Sequence, residues 1–396
     1  QGSSFVDPGA TAWDNKDGNV NVTKTGSVNS SREGRYTITY SARDKAGNEA
    51  TKTRVVVVRV NSSGTDKPYL VLAGDFTPTN VNANISYIET LPFDGGIITP
   101  VTSWIIANGN SHPGYGALWN EIKDMNFRKW DKNYLLLMIG NPPDFFDDWS
   151  NVIAYWRDYA KAAKAMGTFA GIAFDNEEYA GPVWGYPGAV NYRNRSLQAY
   201  RDQARLRGRQ IMQAMQEEFP DISVIHYHGP YASDPNTPNA VSLYQLEPDE
   251  SNLMGSFFMG MVEAKNATSK VIDGGEVYQY RTPNEFKNSY QWRKYTMASS
   301  SNNSPVIPRN ERSAYPDNVS ISFGLYNYNW TQWVDGTGHP MNPSIMENVV
   351  EYSLNNADDV VWLYTEDMNW AGGGVSSAWI NAVRNGREAA KGGVLE

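Results

Sequence analysis

From Pro68 onward the chain alternates short apolar runs with longer amphipathic stretches, and no other feature narrows its possible folds as far. The runs fall at 69–75, 95–101, 134–139, 169–175, 222–228, 270–273, 320–328 and 359–364. Amphipathic stretches such as 152–166, 196–218, 283–298 and 344–355 lie between them, with a last helix near 378–390. A parallel strand pair needs a long crossover, which a helix supplies, so this alternation predicts an α/β fold with a parallel sheet. Eight such units across about 330 residues predict a (β/α)8 barrel, a fold whose active sites sit at the strands' carboxyl ends.

Residues 1–64 read differently. Tyr36, Ile38 and Tyr40 alternate with Arg35, Thr37 and Thr39, and a β-branched run follows at 55–58, the pattern of half-buried antiparallel sheet. Asp7-Pro8-Gly9, Asp17-Gly18 and Ala46-Gly47-Asn48 supply the turns. With Gly34-Arg35-Tyr36-Thr37-Ile38-Thr39-Tyr40 and Asp44-Lys45-Ala46-Gly47-Asn48, this segment resembles the bacterial immunoglobulin-like repeat of secreted and surface proteins. The resemblance implies a small β-sandwich, lacking its usual opening strand, so Gln1 is expected to fall within a longer chain. Asp14 and Asp17 read as turn residues rather than as a calcium loop. A polar linker at 61–66 divides the expected domains, 1–64 and 65–396.

Aromatic residues make up 13% of the 396 residues, against 19% charged, a balance suited to grooves that stack on carbohydrate. The net charge of -9, with no basic stripe, argues against a nucleic-acid partner. Cysteine is absent, which excludes disulfides and thiolate metal sites. No run of about 20 apolar residues and no signal peptide occurs, so a soluble monomer is expected, with any export signal removed or upstream.

The fourth run ends Phe174-Asp175-Asn176-Glu177-Glu178-Tyr179. Crowded carboxylates repel one another and resist desolvation, which displaces their pKa values and suits acid, base or nucleophile work on a sugar. Strand alternation puts Gly171, Ala173, Asp175 and Glu177 on the inner face and Ile172 and Phe174 on the outer. The sixth run ends Asp273-Gly274-Gly275-Glu276, where two glycines let Glu276 swing over the mouth, braced by Tyr278 and Tyr280. Either acid is a candidate partner, and Glu276 is preferred. Asp75, Trp104, Asn141, Asn176, Trp184, His226, His228, Tyr326, Asn329, Trp330, Trp362, Glu366 and Trp370, together with Tyr179, Tyr278 and Tyr280, make a candidate sugar-binding set. His226 and His228 suggest a metal pair by spacing, but with His112 and His339 in distant loops they are read as substrate or carboxylate partners, and neither metal nor cofactor is expected.

The barrel is similar to glycoside hydrolase catalytic domains. Asn176-Glu177 resembles the clan whose acid/base Glu follows Asn at the fourth strand, yet that clan's nucleophile position, at strand seven, holds Tyr and Asn here. Asp175 with Glu276 resembles the layout of the α-galactosidase clan and of the endo-fucanases of marine bacteria. The resemblance implies a secreted or cell-surface retaining endo-hydrolase, with Asp175 as nucleophile and Glu276 as acid/base. It leaves open a role swap involving Glu177. The polymer it implies is an algal fucan or galactan, with plant or microbial β-glucan or mannan as alternatives. A non-catalytic carbohydrate-binding barrel is the rival class.

Overall fold

The computed structural model describes residues 7–29, 34–58, 68–74, 76–239, 248–276, 278–327, 341–366 and 368–392. In the N-terminal segment β1 (Ala12–Asp14) pairs with β2 (Gly18–Val20), while β3 (Val22–Thr25), β4 (Gly34–Arg43) and β5 (Glu49–Val58) form an antiparallel sheet. The predicted alternation holds where it bears on the core: Ile38 and Tyr40 are buried and Thr37 is exposed. Asp7 is the polar hub, accepting from Tyr40 Oη and from Arg54 Nη1 at 2.6 Å, with Lys24 Nζ 3.1 Å away. Asp14 Oδ1 accepts the backbone amides of Lys16 and Asp17, so its carboxylate builds a turn.

The remaining strands are β6 (Tyr69–Ala73), β7 (Gly95–Ile98), β8 (Asn133–Met138), β9 (Phe169–Asp175), β10 (Ser223–His226), β11 (Lys270–Asp273), β12 (Val319–Ile321), β13 (Gly324–Tyr326) and β14 (Val360–Tyr364). They form one parallel sheet in the order β12-β11-β10-β9-β8-β7-β6-β14-β13. All eight expected strands are present. The seventh comes in two pieces, β12 and β13, because it changes partners midway: β12 pairs with β11 and β13 with β14. Between them Ser322 N donates to Asp273 O at 2.8 Å, while Phe323 O accepts from Trp362 N at 3.1 Å. Strand seven is therefore bonded on both sides, and it closes the barrel.

Between the strands run α1 (Pro78–Ile88), α2 (Val101–Ala107), α3 (Tyr115–Ile122), α4 (Ser150–Met166), α5 (Leu197–Glu218), α6 (Met254–Ala264), α7 (Pro283–Gln291), α8 (Tyr315–Asn318) and α9 (Pro343–Asn356), with α10 (Ser377–Gly392) last. Two packed layers follow from strand alternation. Val71, Ala73, Ile97, Tyr134, Leu136, Ala173, Ile225 and Trp362 fill the interior, and Leu70, Leu72, Leu135, Leu137, Ile172, Phe174 and Val224 face the helices. Gly171 has no substitute there: a Cβ would lie 1.8 Å from Ser223 O. Its absence lets β9 and β10 close up beneath the acidic strand end. The expected helix at 283–298 is shorter. Thr282 and Glu285 form a capping box at its start, and after Gln291 it passes into a π turn, Trp292–Thr296, which aims Arg293 under the strands.

Candidate active site

Asp175 is the last residue of β9 and is only 5% exposed. Beyond it, the Asn176 carboxamide clasps the next strand: Nδ2 donates to His228 O at 2.8 Å and Oδ1 accepts from His228 N at 3.0 Å. This clasp fixes His228 where strand five ends. The buried His228 ring has Nδ1 3.0 Å from Tyr231 Oη, and its Nε2 lies 3.1 Å from Glu276 Oε2 and 3.8 Å from Glu177 Oε1.

Glu276 reaches this point because the chain turns at Gly274-Gly275. Gly275 has φ +55°, and a Cβ there would strike Arg293 Nη1 at 2.2 Å. Gly274 N donates to His226 O and Glu276 N to Tyr227 O, so the loop folds back over strand five. Tyr278 Oη donates to Glu276 Oε1 at 2.6 Å. On the other side, Tyr179 Oη stands 2.8 Å from both Asp175 Oδ2 and Glu177 Oε2. One hydroxyl carries one proton, so it can donate to only one carboxylate at a time, and the second bond requires a proton on the other acid.

The electrostatics separate the three acids. Burial, then the charges of Glu276 and Glu177, raise Asp175 to about 8. The hydrogen bond with His228 holds Glu177 below the usual range. Burial raises Glu276, opposed by His228. His228 is itself raised: burial lowers it, but Glu276 and Glu177 outweigh that. Glu276 thus has His228 in direct contact, whereas Asp175 meets that ring only at longer range and has Glu276 and Glu177 as its dominant charged neighbours.

Ligand atoms of Glu177, His228 and Glu276 all lie within 4.8 Å of one another, so these three could hold a metal ion, with Tyr231 orienting the imidazole from behind. Asp273, the other acid considered on strand six, is fully buried against Arg293, whose Nη1 is 3.0 Å from Asp273 Oδ1. It belongs to the framework.

The aromatic set divides. Trp104 and Tyr179 are each 47% exposed, with ring centroids 6.3 Å apart. Opposite them Tyr278 lies 4.8 Å from Tyr326, which stacks on Tyr364 and donates to Glu366 at the rim. Asn141 is exposed beside Gly109 and Ala180.

Six expected sugar contacts need correction, because their polar or apolar surface is already spent on the fold. Asn176 is fully buried in its clasp, and Trp184 lies beneath it, donating Nε1 to Asn176 O. His226 faces the helices among Phe174, Phe257 and Phe258, with Met261 Sδ 3.1 Å from Nε2 and burial pushing it down to about 3. Tyr280 packs on Phe286 and Phe323, Trp370 on Phe93, and Trp362 is sealed inside the barrel, stacked 4.3 Å from Tyr227. Asp75, Asn329 and Trp330 lie outside the described residues. Sequence reasoning missed Tyr231 and Arg293, which act through His228 and the strand-six turn, and no local motif marks either.

No curated protein matches the sequence. Among solved structures, the fold is similar to a xyloglucanase from Bacteroides ovatus, at 10% identity over 90% of this chain and 86% of that one, TM-score 0.41. A broad-specificity endoglucanase from Clostridium longisporum gives 10% identity over 78% and 85%, TM-score 0.44. A 3-keto-D-glucoside 4-epimerase from E. coli gives 14% over 81% and 100%, TM-score 0.40. These are likenesses at low identity, and the barrel assignment rests on the strand register itself. Residues 1–58 match the family model described as bacterial surface protein, Ig-like domain.

Proposed function

We propose that the chain is a glycoside hydrolase that cuts within a polysaccharide by a retaining two-carboxylate mechanism. The observation that carries this reading is the convergence of Asp175, Glu177 and Glu276 on His228 and Tyr179 at the barrel mouth, between two sets of aromatic rings. Glu276, its charge supported by His228 and the Tyr278 hydroxyl, attacks the anomeric carbon. Asp175, which keeps its proton to about pH 8, delivers it to the leaving oxygen. Asp175 then takes a proton from water, whose oxygen displaces Glu276 and restores the original anomeric configuration. Glu177 shares Tyr179 with Asp175 and stabilises positive charge on the sugar ring. These roles reverse the sequence-based expectation for Asp175 and Glu276, because the acid surrounded by anions is the better proton holder.

The substrate is an algal galactan or fucan, residues 1–64 act as a spacer, and the protein works as a monomer outside the cell or at its surface. The support for placement is the Ig-like match. Among the described residues, no helix is long and apolar enough to cross a membrane.

Azide rescue tests the roles. Glu276→Ala and Asp175→Ala should each lower kcat on polysaccharide by about 10³-fold or more. With an activated aryl glycoside, azide should give an inverted glycosyl azide from the Glu276 variant and a retained one from the Asp175 variant. Exchanged configurations would exchange the roles, and an inverted product from the unaltered enzyme would remove the retaining mechanism. A second reading, a divalent ion held by Glu177, His228 and Glu276, is favoured by the closeness of their ligand atoms. Full activity after exhaustive EDTA dialysis decides against it.

A further inference from the structure

Resting on the glycosidase reading, we propose that the polysaccharide is neutral around the bond that is cut, neither sulfated nor carrying uronate, which favours an unsulfated galactan over a sulfated fucan. The loops that follow the strands make the mouth of the barrel, and their described residues are 74, 76–77, 99–114, 139–149, 176–196, 227–239, 248–253, 274–276, 278–282, 327, 341–342, 365–366 and 368–376. Across all of them lysine is absent, and arginine occurs at positions 193, 195 and 281 alone.

Two of these three are engaged by the protein itself. Arg281 Nη1 donates to the carbonyls of Tyr278 and Tyr280, bracing the strand-six turn. Arg195 lies 4.0 Å over the Phe146 ring and near Tyr192, on the segment that leads into α5, and Arg193, two residues before it, is exposed and, among the described residues, is the one of the three left to the solvent. Facing the cleft instead are Asp175, Glu177, Glu276 and, on the tyrosine side, Glu366. The cation in contact with this group, His228, is buried and committed to Glu276 and Glu177.

Three of the barrel's lysines cluster elsewhere. Lys132, Lys164 and Lys270 line a cavity at the opposite, amino-terminal end of the strands, with Asp131 and Asp221. Guanidinium forks and ammonium groups are the side-chain partners best suited to sulfate and uronate. At this mouth a sulfate ester would meet like charge, which opposes both encounter and docking.

The test uses chemically matched polymers: native fucoidan and carrageenan, each beside its desulfated form, with agarose as a neutral galactan. New reducing ends are measured at about 20 mM and about 300 mM NaCl, since screening lengths fall between these values. A desulfated or neutral polymer should be cut at least about tenfold faster than its sulfated counterpart, and the gap should narrow in high salt. Faster cleavage of a native sulfated member at low salt would overturn the proposal while leaving the hydrolase reading in place. Cleavage of no polymer in the panel, nor of neutral β-glucan or mannan assayed beside it, would instead remove the hydrolase reading, and the proposal with it.

Discussion

Asp175 is held among two anions in a nearly closed setting, so its proton is coupled to folding as well as to chemistry. Its folded value of about 8 lies above its ordinary 3.8. The native state therefore keeps a proton that the unfolded chain releases between those values, and stability falls as pH rises through that window. Asp175→Asn should flatten this slope and raise Tm at pH 8 by about 2–4 °C or more, while abolishing turnover. Parallel Tm-versus-pH curves for the two proteins would refute the assignment. In the unaltered enzyme the same proton should set an alkaline limb of kcat/KM near pH 8. The acids were legible in the sequence because charge at the end of an apolar strand conflicts with burial and so marks itself. The rings were not. Trp104 and Trp184 look alike in a sequence, yet one is 47% exposed and the other 2%, since an indole suits a core and a sugar cleft equally well.

At the scale of elements, strands showed in the sequence wherever apolar runs met turn residues, and they blurred where an element changes partner or has no polar face. Strand seven reads as one run but is split by its transfer from β11 to β14. Helix α6 gives little periodicity because Met254 to Val262 are all buried. The π turn after α7 was invisible for a further reason: its purpose is three-dimensional. Arg293, fully buried, ties Asp273 Oδ1, Ser322 O at 2.8 Å and Ser289 Oγ at 3.1 Å into one strut beneath the Gly274-Gly275 turn. Arg293→Met should cost about 3–5 kcal/mol, read as a lower urea midpoint, because it strands the Asp273 charge. Adding Asp273→Asn should recover part of that loss, a non-additive pair. If the two losses simply add, the strut is not the unit described.

At the scale of the whole molecule, the N-terminal sheets and the barrel share no strand among the described residues: β5 pairs with β4, while β6 pairs with β7 and β14. The polar hub at Asp7 draws on Tyr40, Arg54 and Lys24, all from its own segment. The barrel likewise closes on itself, with Lys294 joining Val319 O to Asp358 and Arg387 joining Pro92 O to Asp94. We propose from this that the two parts fold independently, the smaller around Ile38 and Tyr40 and the larger around the barrel's own core. A chain starting at residue 65 should keep kcat on soluble oligosaccharides within about twofold and unfold at the same temperature as the main transition of the longer protein. The full chain should show a separate transition for the small sandwich, which buries less surface and melts with less heat. An aggregated or inactive 65–396 protein would instead make residues 1–64 part of the barrel's stability, and the spacer role proposed for them would fall with the domain boundary.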